Sequence, residues 1–166
     1  MKRIDKYNDR LHKLKILLTA LYNAGYTKIR RNLFIKLVFL IDHYLDRKLS
    51  AEPRVFGYNF YVYRHGVFTA KVLADLENIG ISYEKDNSRC YIIIKQPFVK
   101  KEELSEKDKE LYNKFKEMIE LYVKPYENSP EELTNYILEN LLEIHPGQKV
   151  FYYYANVQKL IKKKRV

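Results

Sequence analysis

The order of elements between Gly57 and Lys95 constrains the fold more than any other feature of the sequence. Alternating aromatic and β-branched residues predict a short strand over Tyr58–Tyr63, and Gly66 ends it. At the far end, the strand-like runs Ile81–Glu84 and Cys90–Lys95 flank five polar residues that suit a hairpin loop. A strand, a turn, a short helix and a hairpin in this order are typical of the second half of a winged helix.

The short helix inside this stretch has clear start and stop signals. Thr69 can cap it by accepting a hydrogen bond from a free backbone amide, and Phe68 and Leu73 have the spacing of a hydrophobic staple. Gly80 is placed for a left-handed C-cap. The apolar residues share one helical face, namely Val72, Leu73, Leu76 and Ile79. We therefore expect a short amphipathic helix.

Further helices are predicted on both sides of this stretch. Apolar periodicity indicates helices over Lys6–Asn23 and Asn32–Leu45, the second of which should be the most buried, with a basic connector between them. Later helices are expected over Ser105–Val123 and Ser129–Glu143, and the aromatic run Val150–Tyr154 should be buried. The fold class is thus α+β and mainly helical, a winged helix-turn-helix with a small antiparallel sheet. We expect a winged-helix domain over residues 1–98 and a C-terminal helical extension over residues 99–166, packed on it or forming a dimer interface.

In this interpretation the strand at Tyr58–Tyr63 pairs with the hairpin to make a three-stranded sheet. Phe60 and Val62 are expected on its core side, with Ile92 and Ile94 nearby. The hairpin would be the wing.

Composition limits the class of protein. Hydrophobic residues make up 46% of the chain and charged residues 31%, which is typical of a globular protein. The longest apolar run, Leu33–Ile41, is too short to span a bilayer, and no apolar signal-peptide segment follows the basic start. The single cysteine, Cys90, favours a reducing compartment. We expect a cytoplasmic protein without membrane association.

The net charge of +10 is distributed unevenly. Residues 1–100 carry 19 Lys and Arg against 9 Asp and Glu, residues 101–145 carry 6 against 12, and residues 146–166 carry 6 against none. A basic body favours a polyanionic partner, because phosphate neutralisation by Lys and Arg supplies most non-specific affinity for nucleic acid. A basic soluble surface with no such partner is the alternative.

The sequence also resembles the Panacea-type antitoxin family and related small prokaryotic proteins over roughly residues 10–95. In that family a K-L-x-F-L helix precedes an aromatic strand, a Y-G-P-x-S turn and a helix ending in D-L-x-x-L. The corresponding segments here are Leu33–Leu40, Phe60–Thr69 and Asp75–Ile81, although the turn lacks the proline and has threonine for serine. The resemblance implies a small winged-helix domain without catalytic residues that acts in gene regulation or neutralises a toxin by protein contact. It transfers no functional residue.

The winged-helix interpretation predicts a DNA-binding surface. The helix over Thr69–Asn78 would enter the major groove with Thr69, Ala70, Lys71, Ala74 and Asn78 facing outward. Phosphate or minor-groove contacts would come from Arg64 and His65, from Lys85 and Arg89 in the wing, and from Lys28, Arg30 and Arg31. Against this, Asp75 and Glu77 would repel the DNA backbone, so a helix that only packs is an equal alternative.

An enzyme is the weakest class, and we predict no cofactor and no metal. The four histidines, His12, His43, His65 and His145, lie in different elements without metal-ligand spacing. Asp42, His43 and Asp46 form the best cluster, for which salt bridging at a helix end is the more plausible role. We therefore expect a dimeric, DNA-binding transcriptional regulator. The alternative is an antitoxin-like protein-interaction module that does not bind DNA.

Overall fold

The computed structural model of the chain describes residues 3–164, which form an α+β fold that is mainly helical, as predicted. Its helices and strands are α1 (Arg3–Asn23), β1 (Lys28–Arg30), α2 (Arg31–His43), β2 (Tyr61–Tyr63), β3 (Gly66–Phe68), α3 (Ala70–Ile79), β4 (Ser82–Asp86), β5 (Arg89–Ile93), α4 (Glu106–Tyr122), α5 (Pro130–Asn135) and α6 (Val157–Lys164). Helix α5 continues as a π-helical turn over Tyr136–Leu141, and 3₁₀ turns lie at Leu45–Arg47, Lys101–Glu103 and Pro146–Tyr152. None of the helices within the described range is both long and apolar enough to cross a membrane.

Strands β1, β5 and β4 form a three-stranded antiparallel sheet in that order. Ile29 of β1 pairs with Ile92 of β5, which pairs in turn with Tyr83 of β4. The sheet places one buried apolar row against the core, because Ile29 and Ile92 are both buried. Strands β2 and β3 form a separate hairpin.

The third strand of the sheet is therefore not the one that the sequence predicts. We expected Tyr58–Tyr63 to pair with the β4–β5 hairpin, but only Tyr61–Tyr63 is a strand and it pairs with β3 instead. The basic connector between α1 and α2 supplies the missing strand, because Ile29 is an apolar residue flanked by Lys28 and Arg30 and its burial aligns the segment with β5. A three-residue alternation of this kind gives too little periodicity to be detected in the sequence.

Helix α2 is the centre of the core, as expected. Every residue from Leu33 to His43 is buried, including Lys36 and Asp42. Helices α1 and α4 pack against each other, and α2 contacts α4, α5 and the sheet. Helix α4 buries its apolar stripe within the chain, at Tyr112, Phe115, Met118, Ile119 and Tyr122. This stripe therefore does not require a second copy of the protein, and the homodimer and the domain boundary at residue 98 stay predictions.

Helix α3 has the bounds that the sequence predicts, with one difference at its start. Gly80 is its left-handed C-cap with φ 97°, and the backbone N–H groups of Gly80 and Ile81 both donate to the Leu76 carbonyl. Thr69 is the N-cap residue, but its hydroxyl makes no capping hydrogen bond, and the residue is only 5% exposed. The predicted cap interaction and the outward position of Thr69 are therefore wrong, since its extended backbone turns the side chain into the protein.

The aromatic run near the C-terminus also differs from its prediction. We expected Val150–Tyr154 to be buried, but Phe151 is 82% exposed and Tyr154 is 71% exposed. The backbone after this run pairs with β2: the Val62 N–H donates to the Ala155 carbonyl, and the Tyr154 N–H donates to the Val62 carbonyl. These two bonds fix the course of the backbone there. The Phe151 ring is left in solvent, and the Tyr154 ring contacts Tyr63 at 5.2 Å between centroids while most of it stays exposed.

Asp42 has a structural role that the sequence does not reveal. Its buried carboxylate accepts four backbone N–H bonds from the loop before β2, at 3.0 Å from Val55, 2.6 Å from Phe56, 3.1 Å from Gly57 and 3.3 Å from Tyr58. Four donors satisfy both oxygens of a carboxylate. Asp42 therefore fixes the irregular segment that leads from α2 to β2.

Asp46, which the sequence grouped with Asp42 and His43, lies apart from Asp42 and accepts a hydrogen bond from Lys114.

His43 is buried next to Asp42, between the rings of Phe39 and Phe60. Its Nδ1 lies 2.8 Å from the Ser50 carbonyl oxygen, which can only accept, so Nδ1 carries a proton. Burial lowers the pKa of His43, although the Ser50 carbonyl and the Asp42 carboxylate oppose the change. His43 is thus held as a neutral imidazole.

We expect the contribution of His43 to the free energy of unfolding to decrease as the pH falls from about 7.5 to about 5.5, whereas burial raises the pKa of Asp42 and gives that carboxyl a contribution of the opposite sign. Since the pKa of His43 lies below the ordinary value of about 6.5 in the folded protein, the unfolded chain binds more protons across this range. Urea unfolding at a series of pH values measures the change, and NMR titration assigns it to His43. Titration of His43 at or above its ordinary pKa would contradict the prediction.

Candidate functional site

A cleft of about 430 Å³ lies between the start of α2, the turn that joins β2 to β3 and the turn that joins β4 to β5. Five of the ten predicted DNA-binding residues line it, namely Arg30, Arg31, Arg64, His65 and Arg89. Lys36 is a further cation in its wall, and none of the described residues that line the cleft is Asp or Glu. Three separate segments therefore bring their positive charges to one concave surface.

Arg30 and Arg31 reach the cleft from the junction between β1 and α2. Arg30 is the N-cap residue of α2, where no side chain caps the free amides and the first turn contains no carboxylate. The guanidinium of Arg31 lies 5.7 Å from the centre of the Tyr83 ring. Arg30 lies at the long distance of 3.8 Å from Glu131, which is exposed. The unpaired amides and the helix dipole add to the positive potential of these side chains.

Arg64 and His65 form the two-residue turn of the β2–β3 hairpin and are both exposed. The next residue, Gly66, has φ 117°, a conformation that favours glycine. A Cβ atom there would lie 3.2 Å from Thr134 Cγ2 and 3.3 Å from Lys36 Cε. The Thr134 hydroxyl also lies 3.4 Å from the His65 carbonyl oxygen. Close packing on α5 and α2 therefore fixes the turn that presents Arg64.

Arg89 comes from the β4–β5 hairpin, whose turn is shorter than the sequence predicts. Asp86 pairs with Arg89 across a two-residue turn of Asn87 and Ser88, and Asn87 has the positive φ of 58° that such turns require. Lys85 and Arg89 therefore lie on strands and not in a loop of five residues. Arg89 is the first residue of β5, and its neighbours Ser88 and Cys90 also line the cleft.

The other five predicted residues lie outside the cleft lining. Lys28 pairs with Glu84 at 3.1 Å and lies 4.5 Å from the centre of the Tyr91 ring, on the outer side of the sheet. Lys71 and Lys85 are exposed. Asn78 is exposed as well, and its amide donates a 2.7 Å hydrogen bond to the Tyr7 hydroxyl. Thr69 is buried, as described above.

The outer face of α3 carries less negative charge than we expected. Asp75 is buried, and its carboxylate accepts hydrogen bonds from Arg10 at 2.6 Å and from the Tyr58 hydroxyl at 2.5 Å. Our expectation that Asp75 would face a DNA backbone is therefore wrong, because α3 turns that side chain toward α1. Glu77 is the carboxylate of α3 that remains exposed, together with Lys71.

Several residues of the cleft were not predicted from the sequence. Lys36 is 2% exposed although it lines the cleft, and its position as a lone charge within the apolar run Leu33–Ile41 is a signal that could have identified it. Tyr63 and Phe68 add two half-buried rings, in contact with each other at 5.2 Å between centroids. Side chains on adjacent strands come together only through the hairpin register, which the sequence does not specify.

A second surface groove shows that positive charge is not general to the concave surfaces of this protein. It lies along α4 and includes Asp46, Arg47, Lys116, Glu117 and Glu120. Both signs of charge occur there, so this groove favours no anion. Within residues 3–164, no group of three or more His, Cys, Asp and Glu side chains is arranged to hold a metal ion.

Comparison with known proteins gives no relative for this chain. No protein-family model matches the sequence, and neither the curated proteins nor the solved structures give a significant match. The resemblance to the Panacea-type antitoxins stays a prediction, and the function has to be argued from the cleft and its surroundings.

Proposed function

We propose that the protein is a winged-helix transcriptional regulator that binds double-stranded DNA without catalysing a reaction. The observation that carries this proposal is that Arg30, Arg31, Arg64 and Arg89 line one cleft, and that the part of the chain described by the structure brings no carboxylate to its lining. Phosphate groups are the most common biological anions that such a set of guanidinium groups binds.

The order of elements supports the winged-helix part of the proposal. Helix, strand, helix, helix and hairpin follow one another as α1, β1, α2, α3 and β4–β5, and the first strand pairs with the last in a three-stranded sheet. In this assignment α3 is the recognition helix and β4–β5 is the wing. The β2–β3 hairpin is an addition between α2 and α3, which brings Arg64 and His65 beside the wing.

The charge of the exposed residues supports DNA as the ligand. Exposed cations lie on three of the elements in this assignment: Lys71 on α3, Lys85 and Arg89 on the wing, and Arg64 on the β2–β3 turn. Burial of Asp75 removes one of the two carboxylates that argued against α3 as a DNA-contacting helix. These cations would position the duplex through its phosphates, and the few polar side chains of α3 would contact bases.

A protein partner is the second candidate function, and the concave shape of the basic surface favours it. A cleft of about 430 Å³ can accept a narrow acidic segment of another protein more readily than the broad backbone of a duplex. In this alternative the protein acts like an antitoxin and uses the same cations to bind carboxylates.

We expect duplex binding to be salt-sensitive and to depend on the cleft and the wing. Fluorescence anisotropy of a labelled random duplex, measured between about 50 mM and 200 mM salt, gives the affinity and its salt dependence. Arg64→Ala, Lys71→Ala and Arg89→Ala should each weaken binding and reduce the slope of log K against log salt by about 0.9, because each removes one phosphate contact.

Lys116→Ala is the matched control, since Lys116 is an exposed cation in the groove of mixed charge on α4. It should bind like the unchanged protein. If Arg64→Ala, Lys71→Ala and Arg89→Ala all bind the duplex as tightly as the unchanged protein does, the assigned surface of cleft, wing and α3 is rejected. No binding at low salt by a folded protein would reject DNA as the ligand and favour the protein partner.

A further inference from the structure

One wall of the cleft is positively charged and another is aromatic, which points to a ligand that has both an anionic group and a flat ring. Arg30, Arg31, Arg64 and Arg89 provide positive charge, whereas Tyr63 and Phe68 provide aromatic surface. A duplex phosphate would use the first wall alone. Aromatic rings beside phosphate-binding cations are the arrangement with which proteins bind unpaired nucleotides, because every base has a face that can stack on a ring.

The aromatic wall is fixed in place by its neighbours. The Phe68 ring meets the Tyr63 ring edge to face, at 76° and 5.2 Å between centroids. The Tyr154 ring meets Tyr63 in the same way from another side, at 84° and 5.2 Å. Since Tyr63 and Phe68 are both only half-buried, part of each ring remains accessible from the cleft. A planar ligand would therefore meet two rings that already contact each other.

The charge and the size of the cleft limit the ligand further. Arg64 and Arg89 are the exposed arginines among the described residues of the cleft, and their two positive charges exceed the single negative charge of a phosphodiester and match the charge of about −1.5 to −2 that a phosphate monoester carries near neutral pH. The volume of about 430 Å³ lies within the range of small-molecule sites, about 300–1,000 Å³. A mononucleotide has this size.

We infer that the cleft binds a phosphate monoester joined through a sugar to a base, with the phosphate on Arg64 and Arg89 and the base against Tyr63 and Phe68. This inference rests on the proposed function, since both assign these cations to phosphate. The ligand would compete with a duplex for Arg64 and Arg89, so it would act as an effector that releases DNA.

The single cysteine of the chain provides a built-in probe of occupancy. Cys90 is half-buried, has no disulfide partner and lines the cleft beside Arg89. Alkylation of a thiol by iodoacetamide, located by peptide mass mapping, therefore reports on this one position. A ligand in the cleft should slow the reaction.

The test combines calorimetric titration of the full chain with the rate of Cys90 alkylation. The probes are AMP, adenosine, inorganic phosphate and a 5′-phosphorylated trinucleotide. We expect AMP to bind at least about tenfold more tightly than adenosine or phosphate, because only AMP uses both walls, and to protect Cys90 from alkylation. Arg64→Ala and Arg89→Ala, both at exposed positions, should weaken AMP binding about tenfold each, whereas Lys116→Ala should not.

The titrations distinguish a free mononucleotide from the phosphorylated end of a strand as the ligand. They also distinguish failure of the nucleotide-binding inference from failure of the DNA-binding proposal. Much tighter binding of the phosphorylated trinucleotide than of AMP would support the inferred chemistry with a strand end as its source, and equal binding would support a free mononucleotide. Three results would each overturn the inference. The first is equal affinity for AMP and adenosine, the second is equal affinity for AMP and inorganic phosphate, and the third is unchanged AMP binding in both arginine variants. Duplex binding without AMP binding would overturn this inference alone, whereas AMP binding without duplex binding would overturn only DNA as the main ligand.

Discussion

Replacing Asp42 by asparagine should lower the free energy of unfolding by about 1–3 kcal/mol, because one buried backbone amide, that of Phe56 or of Tyr58, loses its acceptor and an unsatisfied buried donor costs roughly 1–3 kcal/mol. One carboxylate oxygen accepts from Val55 and Phe56, and the other from Gly57 and Tyr58. Whichever way the asparagine side chain is oriented, its NH₂ group faces one of these pairs. The loss is a large share of the roughly 5–15 kcal/mol that stabilises a typical domain.

Chemical denaturation measures this loss, and Asp86→Asn is the matched control. Asp86 is an exposed aspartate at the end of β4, so the same substitution there should change stability by less than about 0.5 kcal/mol. A similar small change for Asp42→Asn would mean that the four amides do not depend on its carboxylate.

Replacing Asp75 by alanine should lower the free energy of unfolding by about 3–5 kcal/mol, because it breaks a buried ion pair and leaves a charge without its partner. Asp75 bonds to Arg10 of α1 and to the Tyr58 hydroxyl, and thereby ties three segments together. Burial and the hydrogen bond to Asp75 raise the pKa of Tyr58, so this hydroxyl stays protonated and donates. Alanine removes the acceptor of both groups.

A double-mutant cycle tests whether the cost comes from the unpaired partner. Arg10→Met with Asp75→Leu removes both charges and should destabilise the protein less than Asp75→Ala alone, since an apolar pair of similar size often replaces a buried ion pair at little cost. Strictly additive effects of the two single substitutions would contradict this explanation. Glu77→Ala, at an exposed position of the same helix, is the control.

The sequence predicted those elements whose periodicity and end signals lie within a few residues of one another. Helix α3 is an example, since its apolar face and Gly80 set its bounds, and the burial of α2 followed from its apolar circumference. Strand β1 was missed because one isoleucine between two basic residues has no period. Its partner Ile92 is more than sixty positions away, and only the tertiary fold reveals the pairing.

The arginines of the candidate site could be predicted from the sequence, whereas the way in which the fold brings them and the aromatic rings together could not. The local sequence identified the arginines of the cleft, because they lie at turns and at element ends. It could not show that Asp42 and Asp75 are used inside the protein, because a carboxylate on a helix has the same appearance in sequence whether it meets solvent or a buried donor. The aromatic wall of Tyr63 and Phe68 depends on the hairpin register in the same way.

The pairing of β2 with the backbone at Tyr154 and Ala155 has a consequence for synthesis of the chain. Ribosomes make β2 long before they make Ala155, so one edge of this strand stays open on the nascent polypeptide. An open edge is a template for pairing with other chains, and the aromatic residues of β2 add exposed apolar surface that favours such association. Until that late segment is made, the hairpin that presents Arg64 and His65 therefore exposes a strand edge that favours pairing with another chain.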